Sequence, residues 1–97
     1  MTRIVIKELV FDSWNRNHIQ KHNVTIEEIV KAGHNIIYHK QSYQQRYVAI
    51  GRCGPRLLSL VIKRVSVGKY YLITARDASK KERKKVYEKE QENYSCF

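Results

Sequence analysis

The chain has 97 residues, a formal net charge of +10 at pH 7 and 42% hydrophobic residues. That length supports one domain with one modest core, the hydrophobic fraction argues against wholesale disorder, and the charge calls for a polyanionic or acidic partner. The opening apolar run Ile4-Val5-Ile6 meets Lys7 and Glu8 at once, so it is too short for a secretory signal, and no stretch approaches a membrane span. Cytoplasmic residence is the expectation. No segment sets a broad apolar face against a cationic one, which places nucleic acid or an acidic protein ahead of a membrane surface. Cys53 and Cys96 fit no metal or redox spacing and read as free thiols in a reducing compartment.

Ile4 to Phe11 is rich in β-branched and apolar residues and predicts a first strand. Asp12 and Ser13 suit the start of a short helix from about Trp14 to His22, and Asn23 tolerates the left-handed conformation that ends one. Thr25-Ile26-Glu27-Glu28 has the form of a capping box, in which each end residue satisfies the other's backbone amide. It opens a second helix with Ile26, Ile29 and Val30 on one face, expected to stop at Gly33. Strands follow at His34 to His39, Arg46 to Gly51, Leu57 to Ile62 and Tyr70 to Ala75. Gly54-Pro55 and Ser66-Val67-Gly68-Lys69 mark turns, and such short connections favour an antiparallel meander. Leu57 to Ile62 is apolar on both faces, so both sides of the sheet centre must be covered. Ser79-Lys80-Lys81-Glu82 is a second capping box, opening a last helix to about Asn93. Its apolar stripe, Ala78, Val86, Tyr87 and Tyr94, is thin, which points to light docking or to packing completed by a protein partner. The expected fold is α+β: two short N-terminal helices, an antiparallel sheet of about four strands and a C-terminal helix. One domain spans 1–97, with a flexible tail at its end.

From Ile29 to Arg76 there is no Asp or Glu, while Lys31, Lys40, Arg46, Arg52, Arg56, Lys63, Arg64, Lys69 and Arg76 all fall in that span. A sheet built from it is expected to present positive charge without internal counter-ions, an electrostatic footprint for RNA or DNA. Tyr43, Tyr47, Tyr70 and Tyr71 lie among these cations, where they either stack bases or supply β-propensity and edge packing. Arg76 either forks onto phosphate oxygens or pairs with Asp77 or Glu82. Arg46 and Arg52 bracket Val48 and Ile50 on one side of a strand. His18 and His22, four apart on a helix, suit a metal clamp, a plain polar face or proton transfer near neutral pH. The run from Lys80 to Lys85 is offset by Glu82, Glu88, Glu90 and Glu92 and reads largely as a solvated face. No phosphate-binding glycine loop, Ser/His/Asp set or cysteine nucleophile is visible.

Trp14-Asn15-Arg16-Asn17-His18-Ile19-Gln20-Lys21-His22-Asn23-Val24 with Glu28 resembles the start of BrnT-type toxins. Tyr47-Val48-Ala49-Ile50-Gly51-Arg52 resembles their first long strand, and Thr74-Ala75-Arg76-Asp77-Ala78-Ser79-Lys80-Lys81-Glu82-Arg83 their closing strand-to-helix signature. The resemblance covers about Phe11 to Tyr87. It implies a RelE-like fold and the toxin of a type II toxin–antitoxin system. Such a toxin cleaves RNA without a metal or other cofactor and forms a hetero-oligomer with a cognate BrnA-like antitoxin, which supplies any contact with DNA. Carried over by motif, the catalytic candidates are Lys21, His22, Arg52, Arg76, Glu82 and Arg83. Arg46, Arg56, Tyr47 and Lys80 are candidates for RNA contact. Two positions depart from the family pattern. Asn23 replaces the usual glycine, and Asp77 stands where proline is frequent, beside Arg76 and able to tie it up.

Overall fold

A computed structural model describes residues 4–42 and 44–94, with side chains through Glu90. Tyr43, Cys96 and the expected tail fall outside them. In chain order the elements are β1 (Glu8–Val10), α1 (Ser13–Gln20), α2 (Ile26–His34), β2 (Ile36–Gln41), β3 (Arg46–Cys53), β4 (Arg56–Ser66), β5 (Lys69–Asp77) and α3 (Lys80–Tyr94). The class is α+β. The sheet has five strands in the order β1-β5-β4-β3-β2.

β2 to β5 form the expected antiparallel meander, but β1 runs parallel to β5, with Glu8 beside Lys69. The sheet is therefore mixed and five-stranded, not antiparallel with about four. The cause is the long connection: everything from α1 to β4 lies between β1 and β5, and only such a crossover permits parallel pairing. Gly68 adopts φ 75° in the β4–β5 turn, and its carbonyl accepts the Lys7 and Glu8 amides at 2.8 and 3.0 Å. β1 is also shorter than Ile4–Phe11, because Ile4 and Ile6 are spent as buried core instead of ladder residues.

The helix ends follow local chemistry. Asp12 caps α1 by accepting the Asn15 amide at 2.9 Å, and the Asn15 side-chain oxygen accepts the Asp12 amide at 2.8 Å. The Asn15 side-chain amide then donates to Val10 O at 2.9 Å and Leu72 O at 3.0 Å, tying α1 to β1 and β5. Asn15 is fully buried, which such complete pairing makes tolerable. Asn23, at φ 55°, turns the chain out of α1, and the Thr25–Glu28 box starts α2. Gly33 does not end α2. It lies inside the last turn against Leu9 and Ile6, and Asn35 caps the helix with its side chain on Lys31 O at 2.9 Å.

Two cores result. Under α1 and α2 lie Ile19, Ile29, Ala32, Ala49, Leu58, Leu60, Ile62, Leu72 and Ala75. Under α3 lies a smaller cluster of Ile50, Leu57, Ala78 and Val86. Both faces of β4 are thus covered near its start, as its apolar run requires. Of the expected stripe, Ala78, just before α3, and Val86 are buried and Tyr87 is exposed, and the Tyr94 side chain is outside the described set.

α2 lies so close to β3 that a Cβ on Gly51 would overlap the Ala32 carbonyl. The backbone cannot give way without lifting α2 off the sheet. Gly51→Ala is therefore expected to lower stability by about 1–3 kcal/mol or more, read as a lower urea midpoint at unchanged slope.

Candidate nucleic-acid interface

Strand alternation sorts the cations by face. Ala49 points to the α1/α2 core, so Arg46, Val48, Ile50 and Arg52 point to the α3 side. Register then sets rows across that side. Ile50 pairs with Ser59 and Ser59 with Arg76; Val48 pairs with Val61 and Val61 with Thr74; Arg46 pairs with Lys63 and Lys63 with Tyr71. Lys40 pairs with Val48 at the β2 edge. α3 closes over the Ile50 end, whereas Val48, Val61 and Thr74 are only half-buried. Half of this sheet face is consequently open and ends in a cationic row. Arg46 and Lys63 stand directly opposite each other, a like-charge pair that costs stability. Among the described residues, neither they nor Lys40 has a carboxylate in ion-pair reach.

The other end of the sheet is neutralised, contrary to the expectation of cations without counter-ions. The acids come from outside the acid-free span. Arg52 Nη2 donates to both Glu90 oxygens, at 2.9 and 3.0 Å. Arg56 donates to Asp77 at 2.7 and 3.2 Å, to Glu28 at 2.8 Å and to Asn23 O at 3.1 Å. Asp77 thus engages Arg56 with its carboxylate, and Arg76 touches only its backbone oxygen, at 2.9 Å. Arg56 itself is held charged, its guanidinium raised above its usual range by Asp77 first and then Glu28.

Arg76 pairs with Glu82, Nη1 to Oε1 at 2.9 Å and Nη2 to Oε2 at 3.4 Å. Glu82 also accepts the Ser79 amide at 2.8 Å and the Ser59 hydroxyl at 3.0 Å. Burial would push its carboxyl up, but the Ser79 amide, Arg76 and Ser59 together hold it below the ordinary carboxylate range. The Glu82 side chain is 15% exposed and that of Arg76 42%. A guanidinium has five N–H donors, and Arg76 makes three donor contacts, to Asp77 O and the two Glu82 oxygens, so not all of its N–H groups are engaged.

The remaining candidates are spread out. Arg83 donates to Ala78 O at 3.2 Å and braces the start of α3. Lys80 is exposed at the first position of α3. Tyr47 points to the opposite face from Arg46 and packs against the α1/α2 core. Lys21 and His22 follow α1, on the layer opposite α3. Both are exposed, and His22 lies edge-on to His18 at 5.8 Å. Among the described residues no hydrogen bond or ion pair joins either of them to Arg76 or Glu82. Sequence reasoning passed over Ser59 and Glu90. Ser59 was signalled by its place in Leu57-Leu58-Ser59-Leu60-Val61-Ile62, where a lone hydroxyl in an apolar strand needs a partner. Among the described residues no three His, Cys, Asp or Glu side chains gather as metal ligands, and no helix is long and apolar enough to cross a membrane. No protein-family model matches the chain, and no curated protein matches it.

Arg56 draws the Asp77 and Glu28 carboxyls below their ordinary values, in Glu28 after the Thr25 amide. Groups lowered in the folded state stabilise it above their unfolded pKa and lose that contribution as pH falls through the folded value. Arg56→Ala is expected to cost about 1–2 kcal/mol at neutral pH, the pairs being partly exposed. That difference should shrink as pH falls from about 5 towards 2, measured by urea titrations across that range.

Proposed function

We propose that the chain is a metal-independent endoribonuclease, the toxin of a type II toxin–antitoxin system neutralised by a cognate antitoxin. Two things support this reading. One is the resemblance to BrnT-type toxins over Phe11 to Tyr87. The other, which carries it, is an ionised, mostly buried Glu82 held against Arg76 at the end of an open cationic sheet face.

In this reading RNA lies along β3 and β4, its phosphates drawn by Lys40, Arg46 and Lys63 towards Arg76. Glu82 accepts the proton of a 2′-hydroxyl as its oxygen attacks the adjacent phosphorus. Arg76 meets the charge that grows on the phosphoryl oxygens, using N–H groups that Glu82 leaves available. The 5′-oxygen departs as an alcohol after taking a proton, leaving a 2′,3′-cyclic phosphate. His22 and Lys21, catalytic candidates by the resemblance, are the groups that would assist proton transfer, reached by a strand that wraps round the sheet end to the α1–α2 turn. The nucleophile belongs to the substrate and the cations to the protein, so cleavage is expected to survive EDTA.

The pairing of Arg52 with Glu90 and of Arg76 with Glu82 favours a second reading, a basic module that binds nucleic acid without cleaving it. Labelled RNA in EDTA separates the two. Cleavage that falls about 100-fold or more in Arg76→Ala and in Glu82→Gln supports the ribonuclease. Because the Glu82 carboxyl sits below its ordinary range, the base stays ionised until the pH drops below that range, and the acid limb of the rate should lie there. Retarded but intact RNA, with affinity falling steeply in salt, supports the module. Absence of any RNA interaction rejects both.

A further inference from the structure

Trp14 is the only tryptophan of the chain, and it stands 55% exposed on α1. Core packing does not account for it, because α1 buries Asn15 and Ile19 and leaves Trp14 on the neighbouring stripe. Its indole stacks on the His18 imidazole, with ring centroids 5.1 Å and planes 6° apart, and His18 in turn meets His22 edge-on at 5.8 Å. Trp14 and His18 stand at i, i+4 on α1 and His22 follows in the turn after Gln20, so the three rings form a row that runs from the helix into that turn. Stacking on one face fixes the indole plane, and among the described residues no second ring covers the other face. Asn17 and Lys21, at i+3 and i+7, lie on the same side of the helix and are exposed. No acid lies within α1, and Asp12, its cap, is committed to the Asn15 amide and the Tyr71 hydroxyl.

We infer that the Trp14–His18–His22 ladder is a stacking platform for an unpaired RNA base, with Lys21 taking an adjoining phosphate. A flat, oriented indole flanked by a cation and an amide is what single-strand binding uses, and it tolerates any sequence because every base has a π-face. An acidic peptide would meet Lys21 but gain nothing from the ladder. A membrane would need a broad apolar stripe, and Asn17, Gln20 and Lys21 interrupt one. The platform shares its ligand class with the reading above but none of the Arg76–Glu82 pair, and it lies on the other layer of the molecule.

The test uses the tryptophan fluorescence, which reports Trp14 alone. The probe is a short 2′-O-methyl oligoadenylate, which lacks the 2′-hydroxyl nucleophile and stays intact whether or not the chain cleaves RNA. Failure of the cleavage reading therefore leaves this measurement untouched. An abasic oligomer of equal length is titrated beside it. The oligoadenylate is expected to quench Trp14 and the abasic oligomer to leave it unquenched. Trp14→Ala, read by anisotropy of a labelled probe, should weaken oligoadenylate binding about ten-fold or more and leave abasic binding unchanged, and Trp14→Phe should restore most of the loss. Far-UV circular dichroism confirms that each variant is folded. Equal quenching by the abasic oligomer, or unchanged oligoadenylate affinity in folded Trp14→Ala, overturns the inference. Quenching by a protein partner with none by oligoadenylate assigns the ladder to a protein interface and overturns it too.

Discussion

Arg56 joins three parts of the chain that, among the described residues, share no other ion pair. Its guanidinium takes the Asp77 carboxylate at the end of β5, the Glu28 carboxylate in the first turn of α2 and the Asn23 carbonyl in the turn between α1 and α2. The constraint behind it is one of distribution. From Ile29 to Arg76 the chain holds no acid, so each arginine at that end of the sheet finds its counter-ion in a helix or at the last residue of β5. Arg56 thereby fastens the N-terminal layer, and Arg52 and Arg76 fasten α3 through Glu90 and Glu82. For α3 this matters because, among the described residues of its expected stripe, only Ala78 and Val86 are buried. An exposed ion pair contributes little alone, but two of them, one with a mostly buried carboxylate, set where a polar helix rests.

The same distribution leaves the sheet face polarised along its strands. The hairpin end, with Arg52, Arg56 and Arg76, is neutralised. The far end, with Arg46 facing Lys63, is not. Unpaired cations act over about a Debye length in physiological salt, so in the proposed reading an anionic strand would be drawn to the far end and would meet the ordered groups of the paired end. Positioned charge in a partly dry site is worth more per group than mobile charge in water, which is why the Arg76–Glu82 pair carries the functional reading in preference to the denser Lys80–Lys85 run.

Much of this was legible in the chain because it is encoded locally. Both capping boxes, the left-handed Asn23, the meander and the two-sided burial of β4 each follow from a few neighbouring residues. What escaped is non-local. Nothing in Glu8-Leu9-Val10 announces a parallel partner near Lys69. Gly33 looked like a stop because glycine usually is one, whereas here it continues the helix in its last turn, packed beside Leu9 and Ile6. The β2–β3 turn has Gln44 and Gln45 at φ 58° and 60° with no glycine to mark it. At the site, Arg76–Glu82 was one of the alternatives open from sequence, since six residues across a strand-to-helix junction bring the two together. The expected tie between Arg76 and the Asp77 carboxylate did not form, because strand alternation sends Asp77 to the other side, where Arg56 takes it. Trp14 was noticed as part of a motif, but its relation to His18 and His22 is a matter of helical phase that the motif alone does not convey.

The parallel pair of β1 and β5 has a consequence for how the molecule comes into being. Its partners are about 60 residues apart in the chain, whereas the β3–β4 and β4–β5 hairpins close over a few. Loop-closure entropy makes the long closure costlier by about 2 kcal/mol. On the ribosome, the first strand to be made must wait for the last before it can pair. Until then Ile4 and Ile6, later buried, have only part of their core to cover them. Within this domain, the segment around β1 thus waits longest for its partner strand and is open meanwhile to a chaperone, a protease or a partner made at the same time.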